Sequence, residues 1–449
     1  MTITSLCVPP GPKAPFDPSE DLLSWMQANI REFGDIFRAS VYGSSVYVIN
    51  SPDYADHVLL RHWRNYLRKG PAVKRIAMSL GNGLISGNGE FWIRHRRMIQ
   101  PAFTREAVRA LADRFKGPNR ALREKWLAAA DSAASVNVTR DVSTTVLEVT
   151  LRSIFGDDYE QIAPHFELIA ESGRDLTFVQ SCNTLIHLIV RIIAQRRAAD
   201  KVHDDVLGIV MRSRDRDSGL PMPDSELSRE VLTLVIAGHE TTASVLNWMW
   251  YLLSKHEAID ARVAGEVHEL MSAEEPSFED GQRLKYARQV VEEVLRCYPP
   301  LWLITRKAME RDQLGEFLVP AGTEIYLSPY LLQREPRLWE EPDSFDPDRF
   351  GNGVARDATG LAMCPFGAGP RNCIGEFFAR TEILIHLMSI ASALRLRDDS
   401  QEHGEHVAGV NLLSRNDFIM KPERRYGEQP LRHLTAAADV EGRAALECP

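Results

Sequence analysis

Residues 228–254 carry helical periodicity and are apolar on nearly every face. A helix of that kind has no side to offer to water, so it must cross the middle of a large core. The chain can enclose it: 449 residues, 44% of them hydrophobic, bury most of the surface they expose when unfolded. Helical periodicity recurs at 122–130, 142–155, 185–197, 257–271, 283–297 and 376–394, and Pro299-Pro300 stops the run before it. Strand-like runs are shorter and lie at both ends of this helical middle. Residues 36–42 and 46–50 flank Gly43-Ser44-Ser45 as a hairpin would, and 316–319 and 323–328 flank Pro320-Ala321-Gly322. Pro9-Pro10-Gly11-Pro12 cannot be helical and makes 8–20 an extended strap, while Ser51-Pro52-Asp53 opens a helix with a cap residue and a first-turn proline. The expectation is a mainly α fold with small β-sheets (α+β), one domain over 1–424 followed by a polar tail at 425–449.

The six cysteines, at 7, 182, 297, 364, 373 and 448, are scattered rather than spaced as a disulfide scaffold, which points to reduced thiols and a cytoplasmic setting. A net charge of −9 at pH 7 speaks against a nucleic-acid surface spread over the whole molecule. No run approaches the ~18 apolar residues of a membrane span, and residues 1–10 lack the basic and apolar parts of a secretion signal.

The most informative segment is Phe366-Gly367-Ala368-Gly369-Pro370-Arg371-Asn372-Cys373-Ile374-Gly375. Three glycines and a proline around one cysteine describe a tightly turned loop. A helix starting near Gly375 brings its positive end close to the sulfur, and with backbone N–H groups and Arg371 this favours a thiolate. A thiolate held by N–H donors suits an axial ligand to haem iron. The loop resembles the signature of the cytochrome P-450 family, Phe-Gly-x-Gly-x-Arg-x-Cys-x-Gly, at every fixed position. Cys364 lacks such a glycine cradle and reads as a packing residue.

Other segments resemble the same family in the right order. Glu293 and Arg296 share one helical face before the proline break, and with Arg349 they resemble its structural Glu-x-x-Arg and downstream arginine. Inside the long helix, Ala237-Gly238-His239-Glu240-Thr241-Thr242 is poor helix chemistry of the sort kept for function. It resembles the family's oxygen-activating acid–alcohol pair, here Glu240 and Thr241, with small Ala237 and Gly238 leaving room for dioxygen. Trp92 and Arg96 lie one turn apart in a basic stretch, and with Arg306 and Arg371 they resemble the family's partners for the haem propionates. Arg94 and Arg97 read as a solvated basic face that also suits an acidic electron-transfer partner.

The resemblance covers nearly the whole of 36–420 and implies a fold shaped as a triangular helical prism around haem b (iron protoporphyrin IX), ligated by Cys373 and cradled by Phe366 and Gly375. It implies a monooxygenase that hydroxylates or epoxidises an apolar compound in specialised metabolism. Electrons come from NAD(P)H through a ferredoxin and its reductase or a flavodoxin-type donor, because the chain has no flavin or iron–sulfur segment of its own. Leu301, Trp302, Leu303, Ile304, Val235 and Ala237 are the expected pocket lining. The interval between 156 and 196 is shorter than the family's usual lid, which fits a more open pocket and a bulky or carrier-bound substrate. Two alternatives stay open: a haem-thiolate isomerase or dehydratase, against which Glu240-Thr241 argues, and a non-catalytic haem-binding protein.

Overall fold

The structure, a computed structural model, describes residues 7–171, 176–199, 201–271, 273, 275–351, 360–400 and 404–425. The polar tail expected at 425–449 lies outside the described residues from 426 onward.

The apolar run is a helix over Asp224–Lys255, and every residue from 242 to 253 is buried. It packs along the helix Val138–Phe155 and against the helices Leu176–Ala199, Tyr286–Cys297 and Glu376–Ala391. Aromatic rings fix its register. Trp248 stacks on Tyr298 at 3.8 Å, and Tyr251 stacks on Phe418 at 4.6 Å. Trp250 Nε1 donates to His386 Nε2 at 2.9 Å, and His386 Nδ1 lies 2.7 Å from Asn119 Oδ1. Burial holds the His386 imidazole neutral, its pKa pushed down to about 3, so one tautomer donates to Asn119 and accepts from Trp250.

Against this helical body lies a five-stranded sheet in the order Ile36–Val41, Ser44–Ile49, Glu324–Leu327, Ile304–Ala308, Tyr66–Leu67. Its first two strands are antiparallel, Ser44–Ile49 runs parallel to Glu324–Leu327, and the remaining pairs are antiparallel. The hairpin turns one residue earlier than 43–45, at Tyr42 and Gly43, with φ of 47° and 77°. Two positive φ values match the strand twist, and the exposed Tyr42 ring meets Phe16 edge-on at 5.4 Å. The strap packs tightly on this edge: Arg38 N donates to Pro10 O at 2.8 Å, and a Cβ on Gly11 would fall 1.9 Å from Arg38 O.

The helix expected at 283–297 begins three residues later, at Tyr286–Cys297, and a separate short helix, Phe278–Arg283, precedes it. The break is capped from outside, the Glu266 carboxylate accepting from the N–H groups of Lys285, Tyr286 and Ala287 at 2.6, 2.9 and 2.8 Å. Ser51 stands at the expected N-cap, but its side chain makes no capping bond. The interval 156–196 forms parts of two helices, Tyr159–Glu171 and Leu176–Ala199, the second lying on the long helix. Residues 172–175 between them lie outside the described residues.

Glu293 and Arg296 are fully buried and paired through two bonds of 2.8 Å, and Arg349 Nε donates to Glu293 Oε1 at 3.0 Å. Arg296 also donates to the carbonyls of Gln333, Pro342 and Ser344. Gln333 extends the network. Its Nε2 donates to the carbonyls of Leu295 and Arg296, and its Oε1 accepts from Cys364 N at 3.0 Å. One unbroken chain of buried hydrogen bonds therefore links the Glu293–Arg296 helix to the start of the cysteine loop.

Arg296→Ala leaves Glu293 buried with its main partner gone, which costs about 3–5 kcal/mol; urea unfolding is expected to show a loss of that size. Glu382 gives a pH-dependent expectation. Neither carboxyl oxygen has a hydrogen-bond partner among the described residues, and burial pushes its pKa well above the ordinary 4.5. Between those two values the unfolded chain has already released the proton that the folded chain keeps, so stability falls as pH rises. Glu382→Met removes that slope, and thermal unfolding from pH 5 to 8 is expected to show the variant gaining on wild type as pH increases.

Candidate active site

The cysteine loop is held by its own backbone. Cys373 N donates to Phe366 O at 2.9 Å, Gly367 N to Cys364 O at 2.9 Å, and Asn372 N to Gly369 O at 3.0 Å. Gly367 and Gly369 adopt φ of +72° and +69°, and a Cβ at Gly369 would lie 2.1 Å from Leu59 O. Gly369 is therefore fixed twice, by conformation and by close approach. Gly375 stands at the N-cap of the helix Glu376–Ala391, and its N–H bonds the Cys373 sulfur. The Phe366 ring lies under the Arg380 guanidinium at 4.7 Å. Cys373 is accessible, unlike Cys182, Cys297 and Cys364.

The balance at the sulfur differs from the sequence expectation. Burial within the protein pushes the Cys373 thiol up, the Gly375 N–H pulls it down, Glu376 pushes it up, and Arg96 and Arg68 pull it down. The sum is a raised pKa, with desolvation the largest cause and Arg96 and Arg68 the cations that oppose it most.

Four arginines gather at this loop. Arg96, on the helix Gly89–Ile99, donates to Asn372 O at 2.9 Å and Asn372 Oδ1 at 3.0 Å. Arg371 Nη2 donates to Gly87 O and Asn88 Oδ1, and its guanidinium lies over the Trp92 ring at 4.2 Å. Arg68 Nη1 donates to Ile85 O, and its Nη2 lies 3.4 Å from Arg371 O. Arg306, buried on the strand Ile304–Ala308, bonds among the described residues only its neighbour's carbonyl, Thr305 O. Among the described residues none of the four is paired with a carboxylate, and Arg371 Nε and Nη1 are buried without a hydrogen-bond partner. Burial first, then the neighbouring guanidiniums, holds Arg68 at about 10, Arg371 at about 9 and Arg306 well below its ordinary value.

A second group lies on the long helix. Ala237 is exposed although the other residues from 230 to 253 are buried or half-buried. Thr241 Oγ1 donates back to Ala237 O at 2.7 Å, the bond that loosens a helix locally. Glu240 is half-buried and accepts a short bond from Asn411 Nδ2. His239 points the other way, with Nε2 2.9 Å from Ser143 Oγ and 3.1 Å from Ser143 O. Gly238 faces away too, since a Cβ there would sit in ordinary contact with Thr150 Cγ2, at 3.4 Å, on the helix Val138–Phe155. Of the expected pocket lining, Val235, Trp302 and Ile304 are buried in protein, whereas Leu301 and Leu303 keep accessible surface.

Sequence reasoning missed Arg68, Asn88, Asn372 and Asn411. Arg68 follows the two-residue strand Tyr66–Leu67, whose pairing with Lys307 and Ala308 carries no local pattern.

The family described as Cytochrome P450 matches residues 15–177 and 173–417. Among curated proteins, the chain is 32% identical over 396 residues to a cyclooctatin synthase of Streptomyces melanosporofaciens, covering 82% of this chain and 84% of that one. It is 30% identical over 392 residues to the cyclooctat-9-en-7-ol 5-monooxygenase of the same organism, covering 82% and 84%. A pentalenene oxygenase of Streptomyces avermitilis is 28% identical over 386 residues, covering 82% and 86%. Among solved structures, the heme domain of cytochrome P450DA superposes with a TM-score of 0.83 at 24% identity, covering 93% of this chain and 97% of that one, which shows the shared fold. Among the described residues no helix is long and apolar enough to cross a membrane. The extent of the family match, the two relatives at 30% identity or above and the shared fold agree: the chain belongs to the cytochrome P450 family and is a haem-binding monooxygenase.

Proposed function

We propose that the cofactor is haem b, ligated by Cys373, and that the chain transfers one oxygen atom of O2 to an apolar olefinic hydrocarbon or its alcohol. The observation that carries this reading is the accessible Cys373 beside buried arginines that lack acidic partners. A porphyrin with two propionates supplies the missing negative charge, so the residues present fit the group. Arg68, Arg306 and Arg371 would hold the propionates, Trp92 stacks under Arg371 to keep it in place, and Arg96 braces the loop through Asn372. Phe366 and Gly375 shape the cradle below the ring, the first accepting the Cys373 N–H and the second donating to its sulfur.

The bound haem supplies the redox chemistry of dioxygen. On the facing helix, Ala237 leaves room, and Thr241 uses its proton on Ala237 O, which keeps its oxygen lone pairs available to a ligand or water. Glu240, anchored by Asn411, holds a proton acceptor one residue away. Electrons originate from NAD(P)H and arrive through a ferredoxin or flavodoxin-type protein. The setting is the cytoplasm, in keeping with cysteines at 7, 182, 297, 364 and 373 that form no disulfide among the described residues. The substrate class rests on the relatives named for pentalenene and cyclooctat-9-en-7-ol and on the apolar Leu301, Leu303 and Ala237 surface. We place all of this in one domain over 1–424.

Screening such compounds for a spin-state change, followed by product analysis under reconstituted electron supply, tests the assignment; a chain that binds haem but oxygenates none of them contradicts the substrate class. Arg371→Ala removes a charge-assisted partner worth about 1.5–3 kcal/mol, so haem retention is expected to weaken ten- to a hundredfold by that conversion, read as haem per chain after dialysis. Thr241→Ala is expected to keep the reduced carbon monoxide spectrum while substrate turnover falls on the order of 10²-fold, with reducing equivalents appearing as hydrogen peroxide.

A further inference from the structure

The geometry points to a second metal site, remote in role from the cysteine loop: we propose that His57, His62 and Asp312 bind one divalent transition-metal ion of the zinc class. The three residues offer one ligand atom each, all within 4.8 Å of one another. His57 Nε2 lies 2.8 Å and His62 Nδ1 3.1 Å from Asp312 Oδ2. A tetrahedral ion with metal–ligand distances of about 2.0 Å needs its ligands roughly 3.3 Å apart, so a small opening of the cluster accommodates it.

The backbone is built to bring the two histidines together. In an α-helix, positions five apart face directions roughly 140° apart. Here residues His57–Arg61 form a π turn, closed by His62 N donating to His57 O at 2.8 Å, and the wider turn places the rings 3.8 Å apart. Such insertions recur at functional sites. The carboxylate is oriented independently of the histidines, since Tyr66 OH donates to Oδ2 at 2.9 Å and Gln313 N to Oδ1 at 2.8 Å. Both rings and the Tyr66 hydroxyl converge on Oδ2, while Oδ1 takes one bond. A cation between the rings and Oδ2 would take one lone pair from each of the three side chains. Two imidazoles and one carboxylate favour zinc, cobalt, nickel or copper over magnesium or calcium, and leave a fourth position for water. His62 is 45% exposed, which gives an ion a way in.

The ion would act as a brace. It ties the strand Asp312–Leu314 to the π turn, and that turn backs the cysteine loop where Leu59 O crowds Gly369. The proposal does not depend on the substrate assignment. Its test uses the haem-loaded full chain without a histidine tag, stripped with EDTA and equilibrated with Zn2+ in excess Mg2+, with zinc and iron per chain counted by elemental analysis. One zinc per wild-type chain is expected, with at least tenfold weaker binding in His62→Gln and Asp312→Asn at unchanged haem content. Zinc is also expected to raise the thermal midpoint of wild type but not of His62→Gln. Wild-type protein that takes up no zinc, or variants that hold it as tightly as wild type, would overturn the proposal; should one variant lose its haem, the other and the wild-type stoichiometry decide.

Discussion

Unbalanced positive charge around the cysteine loop is the constraint on which the rest of the structure turns. Arg68, Arg306 and Arg371 are close enough to depress one another, and no carboxylate among the described residues answers them. Burying like charges together is costly, and the fold tolerates it only because other groups hold each side chain: Arg371 by Gly87 O, Asn88 and the Trp92 face, Arg68 by Ile85 O. A dianionic cofactor converts this cost into binding free energy. Because the unfolded chain has no such cluster, what the cofactor gains there also stabilises the folded state.

Such a cluster needs rigid walls, and the buried Glu293–Arg296–Arg349 group supplies them. It serves through Gln333, whose amide bonds the end of one helix with its nitrogen and the first residue of the cysteine segment, Cys364, with its oxygen. On the opposite side, the Leu59 carbonyl presses on Gly369. The loop is thus gripped from two directions by parts of the chain far apart in sequence, so its sulfur has a fixed position before any ligand arrives.

What could be read in the sequence was what is local. Glycine positions around Cys373, the pairing of Glu293 with Arg296 and the all-round apolar character of the long helix each follow from spacing along one segment, and the structure places them as that spacing implies. Non-local partners were not legible. Nothing in Tyr66-Leu67-Arg68 announces an arginine at the site, because its position follows from strand pairing with Lys307 and Ala308. Nor does Gln333 or Glu266 stand out, since each acts on the backbone of another segment. The two-residue turn at Tyr42 was hidden by Gly43, which drew the expected turn one residue too far along. At Cys373 the backbone N–H at the helix start was legible, but the approach of Arg68 and the desolvation that raises the thiol follow from the assembled core.

The long helix shows how an unfavourable segment is kept in place. Gly238 alone costs up to about 1 kcal/mol relative to alanine in a helix interior, and the Thr241 side chain competes for a backbone carbonyl. Yet the next three turns, 242–253, are buried without interruption and clamped by Trp248 on Tyr298 and Tyr251 on Phe418. The packing of one half holds the other in a conformation it would not keep alone. Gly238 lies on the face packed against the helix Val138–Phe155, where an added Cβ would sit in ordinary contact with Thr150 Cγ2 at 3.4 Å. Packing thus holds the back of the helix at the level where Thr241 bonds Ala237 O, so local loosening is confined to the more open face that carries Ala237.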